Sequence, residues 1–413
     1  MSQARSGQIV VAGGGVAGLT AGLAFAARGY SVRIFERAPR IEEVGAGLQL
    51  SPNATRILDR LGVLPLLLPV ANKPEAVVLR DAKSLAELAR VPLGDAAEQR
   101  WKAPYLTAHR ADLQSALLAR VQGEAGIDLV MGAEVRNVAI HAGSVTISIE
   151  KDGATEQVAG VLAIGADGVW SSMRPLAGLQ SKSIFAGQTA WRSTIKAGSS
   201  AGQLFSDIGA TGFVTAFMHP GFHLIVYPVR NGAAYNLVAF TPGSPMAQTW
   251  SGKADVSVLK AAMSRTDPAL ARLAEHCAPW TVWPIHTVDP TARWTAAGGI
   301  ALIGDAAHAM TPFAAQGAAM AIEDAETLAS YVAANPFDIA GALAAWEKER
   351  RPRIARVLRR GRVNRLAWHA AGPVALVRNL LLKARSPDSL SADLDWLYGW
   401  EPPQFTPGSI TRA

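Results

Sequence analysis

The sequence predicts an α/β fold (α+β overall). It combines a Rossmann-like dinucleotide-binding domain, a second domain built on an antiparallel sheet, and a C-terminal run of helices. Three observations predict this. A fully apolar strand, QIVVA, runs straight into Gly13-Gly14-Gly15-Val16-Ala17-Gly18, a G-x-G-x-x-G run that opens a helix. From about residue 183 to 283 the chain alternates apolar and polar residues in short runs such as FHLIVYPVR and AYNLVAF. Beyond Asn335 the spacing of apolar residues becomes helical.

Length and composition set the frame. The chain has 413 residues, too many for one ordinary core. Hydrophobic residues make up 49% and charged residues 18%, as in a globular protein. The formal charge is +7, but the densest basic stretch, EKERRPRIARVLRRGRVNR, is interleaved with apolar residues at helical spacing and reads as a solvated helix face. That argues against nucleic acid or an anionic membrane surface as a partner. The single cysteine, Cys277, excludes an internal disulfide and supplies no metal cluster, so no metal site is expected and a cytoplasmic location is. No signal-peptide layout is visible, and no stretch approaches the ~18 uninterrupted apolar residues of a spanning helix.

Taken in order, the glycine run is followed by a helix of small residues, VAGLTAGLAFAA, and a second strand, SVRIFER: a βαβ unit. YLTAHRADLQSALLARVQ reads as a short strand and a helix. DLVMGAEVRNVAIHAGSVTISIEKDG breaks at glycines like a β-meander. VLAIGADGVWSSMR is a strand, a turn and a helix start, and GGIALIGDAAH returns to a buried strand. The expected division is discontinuous. Residues 1–73, 105–182 and 284–340 form the dinucleotide domain, 74–104 and 183–283 the sheet domain, and 341–413 a helical segment that leaves a homodimer possible.

The glycines have separate tasks. Gly13 permits the tight turn, Gly15 lets a pyrophosphate approach the backbone, and Gly18 lets helix and strand pack closely. The helix start offers free N–H groups to phosphates. Glu36 ends the second strand about twenty residues on, where a carboxylate can take ribose hydroxyls. Two weaker signals follow: the Asp167-Gly168 turn, with Ser171 and Arg174, and Gly304-Asp305. A carboxylate at the end of a buried strand is costly unless it meets donors, either a sugar-alcohol chain or a helix start.

In this order and spacing, the glycine run with Glu36, then Asp167-Gly168, then Gly304-Asp305 resemble the single-component FAD-dependent aromatic hydroxylases. That group includes salicylate hydroxylase, 3-hydroxybenzoate 6-hydroxylase and 6-hydroxynicotinate 3-monooxygenase. The resemblance extends to FERAPRIEEVGAGLQLSPNATRIL, to LTAHRADLQ and to WLYGWE near the end. It implies bound FAD, held by Gly13, Gly15, Ala17, Gly18 and Glu36 at the AMP half, with Arg37 and Gly47 along the cofactor. Arg110 would reach the flavin side or the phosphates, Asp167 would serve FAD and a passing NADH or NADPH, and Asp305 would bind the ribityl chain. Backbone N–H groups at Ala315, Gly317 and Ala318 would face the flavin pyrimidine ring. The implied reaction uses NAD(P)H and O₂, forms a flavin C4a-hydroperoxide, and transfers one oxygen to a small aromatic, phenolic or carboxylated substrate.

Candidate catalytic residues are His223 and Tyr227, four apart on one strand and therefore on one face. The resemblance gives such a pair contact with the substrate phenol, and a neutral imidazole is a suitable base near pH 7. His308 and His109 read as structural. Pro312, Phe313 and Gln49 are expected at the substrate pocket. Phe313 and Gln49 stand where relatives place polar or histidine side chains, and Ala314-Ala315 where the group usually has glycine. Two other readings stay open on the sequence: a flavin-dependent dehydrogenase without oxygen insertion, and a non-catalytic nucleotide-binding protein.

Overall fold

The structure, a computed structural model, describes residues 7–40, 46–245, 252–253, 255–296, 298–403 and 405. Residues 41–45, inside the run that resembles the hydroxylases, lie outside them.

Six strands form the first sheet. Their order is Thr295–Ala296, Ile300–Leu302, Leu162–Gly165, Gln8–Ala12, Ser31–Glu36 and Ile127–Met131. All neighbours pair in parallel except the first two. Gln8–Ala12 is central, and Ile9, Val10 and Val11 are fully buried, as a near-continuous apolar run requires, with the helix Val16–Ala26 and the antiparallel meander of Ala133–His141, Ser144–Lys151 and Ala154–Gly160 packed on the sheet. The helix Val16–Ala26 begins directly after this strand and packs against Gly317–Ala334. The turns after Gln8–Ala12, Leu162–Gly165 and Ile300–Leu302 therefore meet at one end of the sheet, where open α/β sheets bind ligands.

The second sheet has eight strands, in the order Gly252–Lys253, Thr281–Val288, Ser183–Lys196, Ala234–Pro242, Phe222–Val229, Val214–His219, Ala76–Asp81 and Glu87–Pro92. Its neighbours pair antiparallel, except that Val214–His219 lies parallel to Ala76–Asp81, which arrives from an earlier part of the chain. Thr281–Val288 stays in this sheet past residue 284, where the sequence reading drew the domain edge. One face carries Phe217, Leu224 and Leu237 into a core closed by the helices Ser200–Asp207, Val256–Met263 and Pro268–His276. Phe205 and Cys277 are buried there. The opposite face, with Ile225, Tyr227 and Val238, looks toward the first domain.

A short antiparallel pair, Gly47–Leu50 with Leu106–His109, joins the two sheets. At Gly47 a Cβ would meet Tyr227 Cε2 at 2.6 Å and Asn236 Cγ at 2.7 Å, so only glycine lets the domains approach this closely.

The long helix Ile339–Trp368 braces the first domain from outside. Its Arg350 donates to Asp324 Oδ1 (2.9 Å) and Glu323 Oε2 (2.8 Å), and Arg353 donates to Glu323 Oε1 (2.7 Å). Both carboxylates are fully buried. Burial pushes the Asp324 carboxyl up, but the charges of His308 and Arg350 and the hydrogen bonds it accepts outweigh that and hold it below its ordinary value.

Candidate active site

Two adjoining cavities lie between the sheets, of about 350 and 520 Å³. Both are lined by Gly15, Arg110, Trp170 and Trp283, so they form one cleft with two ends.

At the larger end stand Gly13, Glu36, Arg37 and Asp167. Glu36 Oε2 accepts from the Gly14 N–H (2.7 Å) and Oε1 from the Ala38 N–H (2.9 Å). Asp167 Oδ2 accepts from the backbone of Ser172 (2.8 Å) and Met173 (3.0 Å), while Oδ1 is buried with no partner. Arg174 ties the two downstream turns together: its Nε donates to the Ala306 carbonyl at 2.7 Å.

The three glycines differ physically. Gly13 has φ +110°, and a Cβ there would meet the Ala166 carbonyl oxygen at 2.5 Å. At Gly18 a Cβ would meet the Gly13 carbonyl oxygen at 1.9 Å; this glycine serves packing and lines neither cavity. At Gly15 nothing lies within 4 Å. The space kept there belongs to a ligand, and the helix start beside it has no side-chain cap and no acid in its first turn. These features fit an FAD pyrophosphate.

The smaller end is lined by Ala17, Gly47, Asp305, Pro312, Gln49 and Tyr227, and by Ala315, Gly317 and Ala318 at the start of Gly317–Ala334. Asp305 is exposed to the cavity. The Gly317 helix also starts without a side-chain cap or acid, and a Cβ on Gly317 would meet nothing. Its N–H groups are thus open to an electron-rich ring edge such as a flavin pyrimidine. Ala315 takes φ +51°, a left-handed conformation that costs a non-glycine residue about 1–2 kcal/mol. That explains why glycine is usual at this place in the resembling group. The Gln316 side chain donates to Ser51 Oγ (2.9 Å) and secures the loop.

His223 and Phe313 do not line the cavity. His223 and Tyr227 share a face, but four strand residues span ~13 Å, so the cavity meets Tyr227 and stops short of His223. The His223 ring is fully buried. It stacks on Phe240 (4.5 Å, 16°), which is itself part of the cavity wall, and packs against Phe313 (4.9 Å) and Trp368 (5.1 Å). Phe313, expected as a pocket wall, instead fills the space behind it, 2% exposed. His223 Nδ1 lies 3.0 Å from Nε2 of His369, and His223 Nε2 has no partner. Burial, then the neighbouring His369, holds the His223 imidazole well below its ordinary value, so it is neutral at pH 7. Burial raises the Tyr227 phenol, only partly offset by Arg192. Gln49 Oε1 accepts from the buried Tyr105 hydroxyl at 2.6 Å.

The expected set omits Arg192 and Asn236. Arg192 lines the cavity, lies 4.7 Å over the Trp283 ring, and leaves Nε buried without a partner. Burial, then the charge of Arg110, lowers its pKa to about 10. No carboxylate contributes. An arginine among apolar residues of one strand was the available signal, but its aim depends on sheet register. Asn236 Oδ1 accepts from the Gly47 N–H (2.6 Å), leaving Nδ2 buried and unpaired.

Comparison with known proteins agrees with this geometry. The FAD binding domain family matches residues 6–361. The chain is 32% identical over 393 residues to 3-hydroxybenzoate 6-hydroxylase of Polaromonas naphthalenivorans (strain CJ2), covering 95% of this chain and 96% of that protein. It is 34% identical over 396 residues to 3-amino-4-hydroxybenzoate 2-monooxygenase of Streptomyces cremeus, covering 96% and 95%. A salicylate hydroxylase substrate complex superposes with TM-score 0.79 at 25% identity, covering 97% of both chains. The chain belongs to this FAD-binding family and is an FAD-dependent aromatic monooxygenase.

Proposed function

We propose that this monooxygenase hydroxylates a small aromatic carrying a phenolic hydroxyl and a carboxylate, at the expense of NADH or NADPH and O₂. The observation that supports the substrate class is Arg192. A half-buried guanidinium with its Nε unpaired and no carboxylate beside it is costly, and a carboxylate entering the cavity offsets that cost. Ile225, Val238 and Phe240 give the ring an apolar wall.

Held along Gly15, Asp305, Gly317 and Ala318, FAD would relay the reducing equivalents of NAD(P)H to O₂ and so supply the activated oxygen. The chain's own residues orient the ring and exclude water. Tyr227, held neutral, donates a hydrogen bond at the cavity wall. His223, stacked behind Phe240 with its cation disfavoured by burial, positions that wall through its bond to His369 rather than taking the phenolic proton. The unpaired Nδ2 of Asn236 is a second donor on the Tyr227 face.

The test is a panel of hydroxybenzoates, hydroxypyridines and bicyclic phenols, scored by NAD(P)H oxidation together with product mass. Substrate-stimulated oxidation with a mass gain of one oxygen supports the reading. Turnover that continues without O₂ would assign a dehydrogenase instead.

A further inference from the structure

The helix Gly372–Lys383, GPVALVRNLLLK, has no buried residue. Leu376, Leu380 and Leu381 are 66, 70 and 63% exposed, and Leu366, in the last turns of Ile339–Trp368, is 75% exposed. Val363, Val374 and Val377 extend the same patch. Among the described residues, seven of the fourteen large exposed apolar side chains fall between 363 and 381. Arg378 Nη1 donates to the Ala367 carbonyl at 2.6 Å, which fixes the two helices as one surface.

The rim of this surface is cationic. From Arg350 to Pro387 the sequence has eleven lysines and arginines and no acid. Arg350, Arg351, Arg353 and Arg385 are consumed in ion pairs. Arg359, Arg362, Arg365 and Lys383 are exposed, and among the described residues none has a carboxylate partner. Arg359, Arg362, Val363 and Leu366 follow helical spacing, so cations and apolar side chains stand on one face. A second copy would set these unpaired cations against their own counterparts. A surface of anionic headgroups over acyl chains matches both properties.

We infer that the hairpin of Gly372–Lys383 and the end of Ile339–Trp368 docks on an anionic lipid bilayer. The leucines enter the headgroup boundary while the arginines and Lys383 meet lipid phosphates. The docked face adjoins the ring end of the cleft, since Trp368 and His369 pack on His223.

The test is co-sedimentation of the full holoenzyme with phosphatidylcholine vesicles, with and without phosphatidylglycerol. Binding is expected only with phosphatidylglycerol, and salt should release it. Removing one cation, as in Arg362→Gln or Lys383→Gln, should weaken binding roughly fivefold. Leu376→Gln with Leu380→Gln should weaken it roughly tenfold or more, with flavin content and melting temperature unchanged. Equal binding to neutral vesicles, or none to anionic ones, would overturn the inference. So would a concentration-dependent dimer that Leu380→Gln dissolves, in a protein that ignores vesicles.

Discussion

At the nucleotide end of the cleft, both Glu36 oxygens and one of the two Asp167 oxygens already hold backbone N–H groups of the chain itself, and Asp167 Oδ1 alone is left over. At the ring end, Arg192 lines the cavity with its Nε buried and unpaired, and behind that wall His223 Nε2 and Asn236 Nδ2 are likewise without partners. The first end recognises a constant ligand and can be pre-satisfied by local turns. The second keeps polar groups in deficit, so that a substrate of matching chemistry gains what the empty cavity lacks.

The largest test of this contrast lies within the glycine run. Gly18→Ala places a Cβ 1.9 Å from a carbonyl oxygen and should abolish stable folding, read by melting and soluble yield. Gly15→Ala meets no protein atom, so it should fold with an unchanged melting temperature and lose FAD affinity at least about tenfold. Equal damage from both would erase the distinction between packing glycine and ligand glycine.

Next in size is the brace behind the ring end. Arg350→Ala leaves Glu323 and Asp324 buried against one fewer cation and should cost about 3–5 kcal/mol in denaturant unfolding. Arg192→Gln should leave folding intact and weaken a hydroxybenzoate by about 1.5–3 kcal/mol, measured as a Kd by flavin absorbance change. The corresponding phenol without its carboxylate should bind both proteins alike. If the two ligands lose equally, Arg192 does not read the carboxylate.

The smallest effect is in pH. The folded His223 sits well below the ordinary histidine value, mainly by burial and then by His369, and His369 is itself lowered by burial, Arg365 and His219. The unfolded chain therefore takes up protons first. Stability should be steady above about pH 6.5 and fall below it, by at most about 1.4 kcal/mol per pH unit for each such histidine. His223→Leu should flatten that slope in melting curves at pH 7.5 and 5.5. An unchanged slope would place the sensitivity elsewhere.

The nucleotide end was legible in the sequence because its parts are local: a glycine turn, a helix start, and a carboxylate one strand later. The β-meander and the sheet domain were legible through alternation. The ring end was legible only in part: Gln49, Tyr227, Asp305, Pro312 and Gly317 line it as expected, but its long-range pairings were out of reach. His223 meets His369 across 146 positions, and Asn236 meets Gly47 across 189. No spacing rule carries such pairings. Strand periodicity gave His223 and Tyr227 their common face but could not say how far along it the cavity reaches. Phe313 stands where relatives place a polar side chain, yet whether its ring faces the cavity or the core behind it depends on Phe240, Trp368 and His223.

Glu323 and Asp324 also set an order of assembly. The strands beside the nucleotide end are complete once residue 165 or so has left the ribosome, whereas the cations that neutralise these two carboxylates emerge near position 350. Without those arginines the helix that presents Gly317 and Ala318 has, among the described residues, only His308, the Gly304 N–H and Asn53 to meet the two buried carboxylates. The berth beside Gly317 and Ala318 therefore depends on cations from a helix that follows it in the chain.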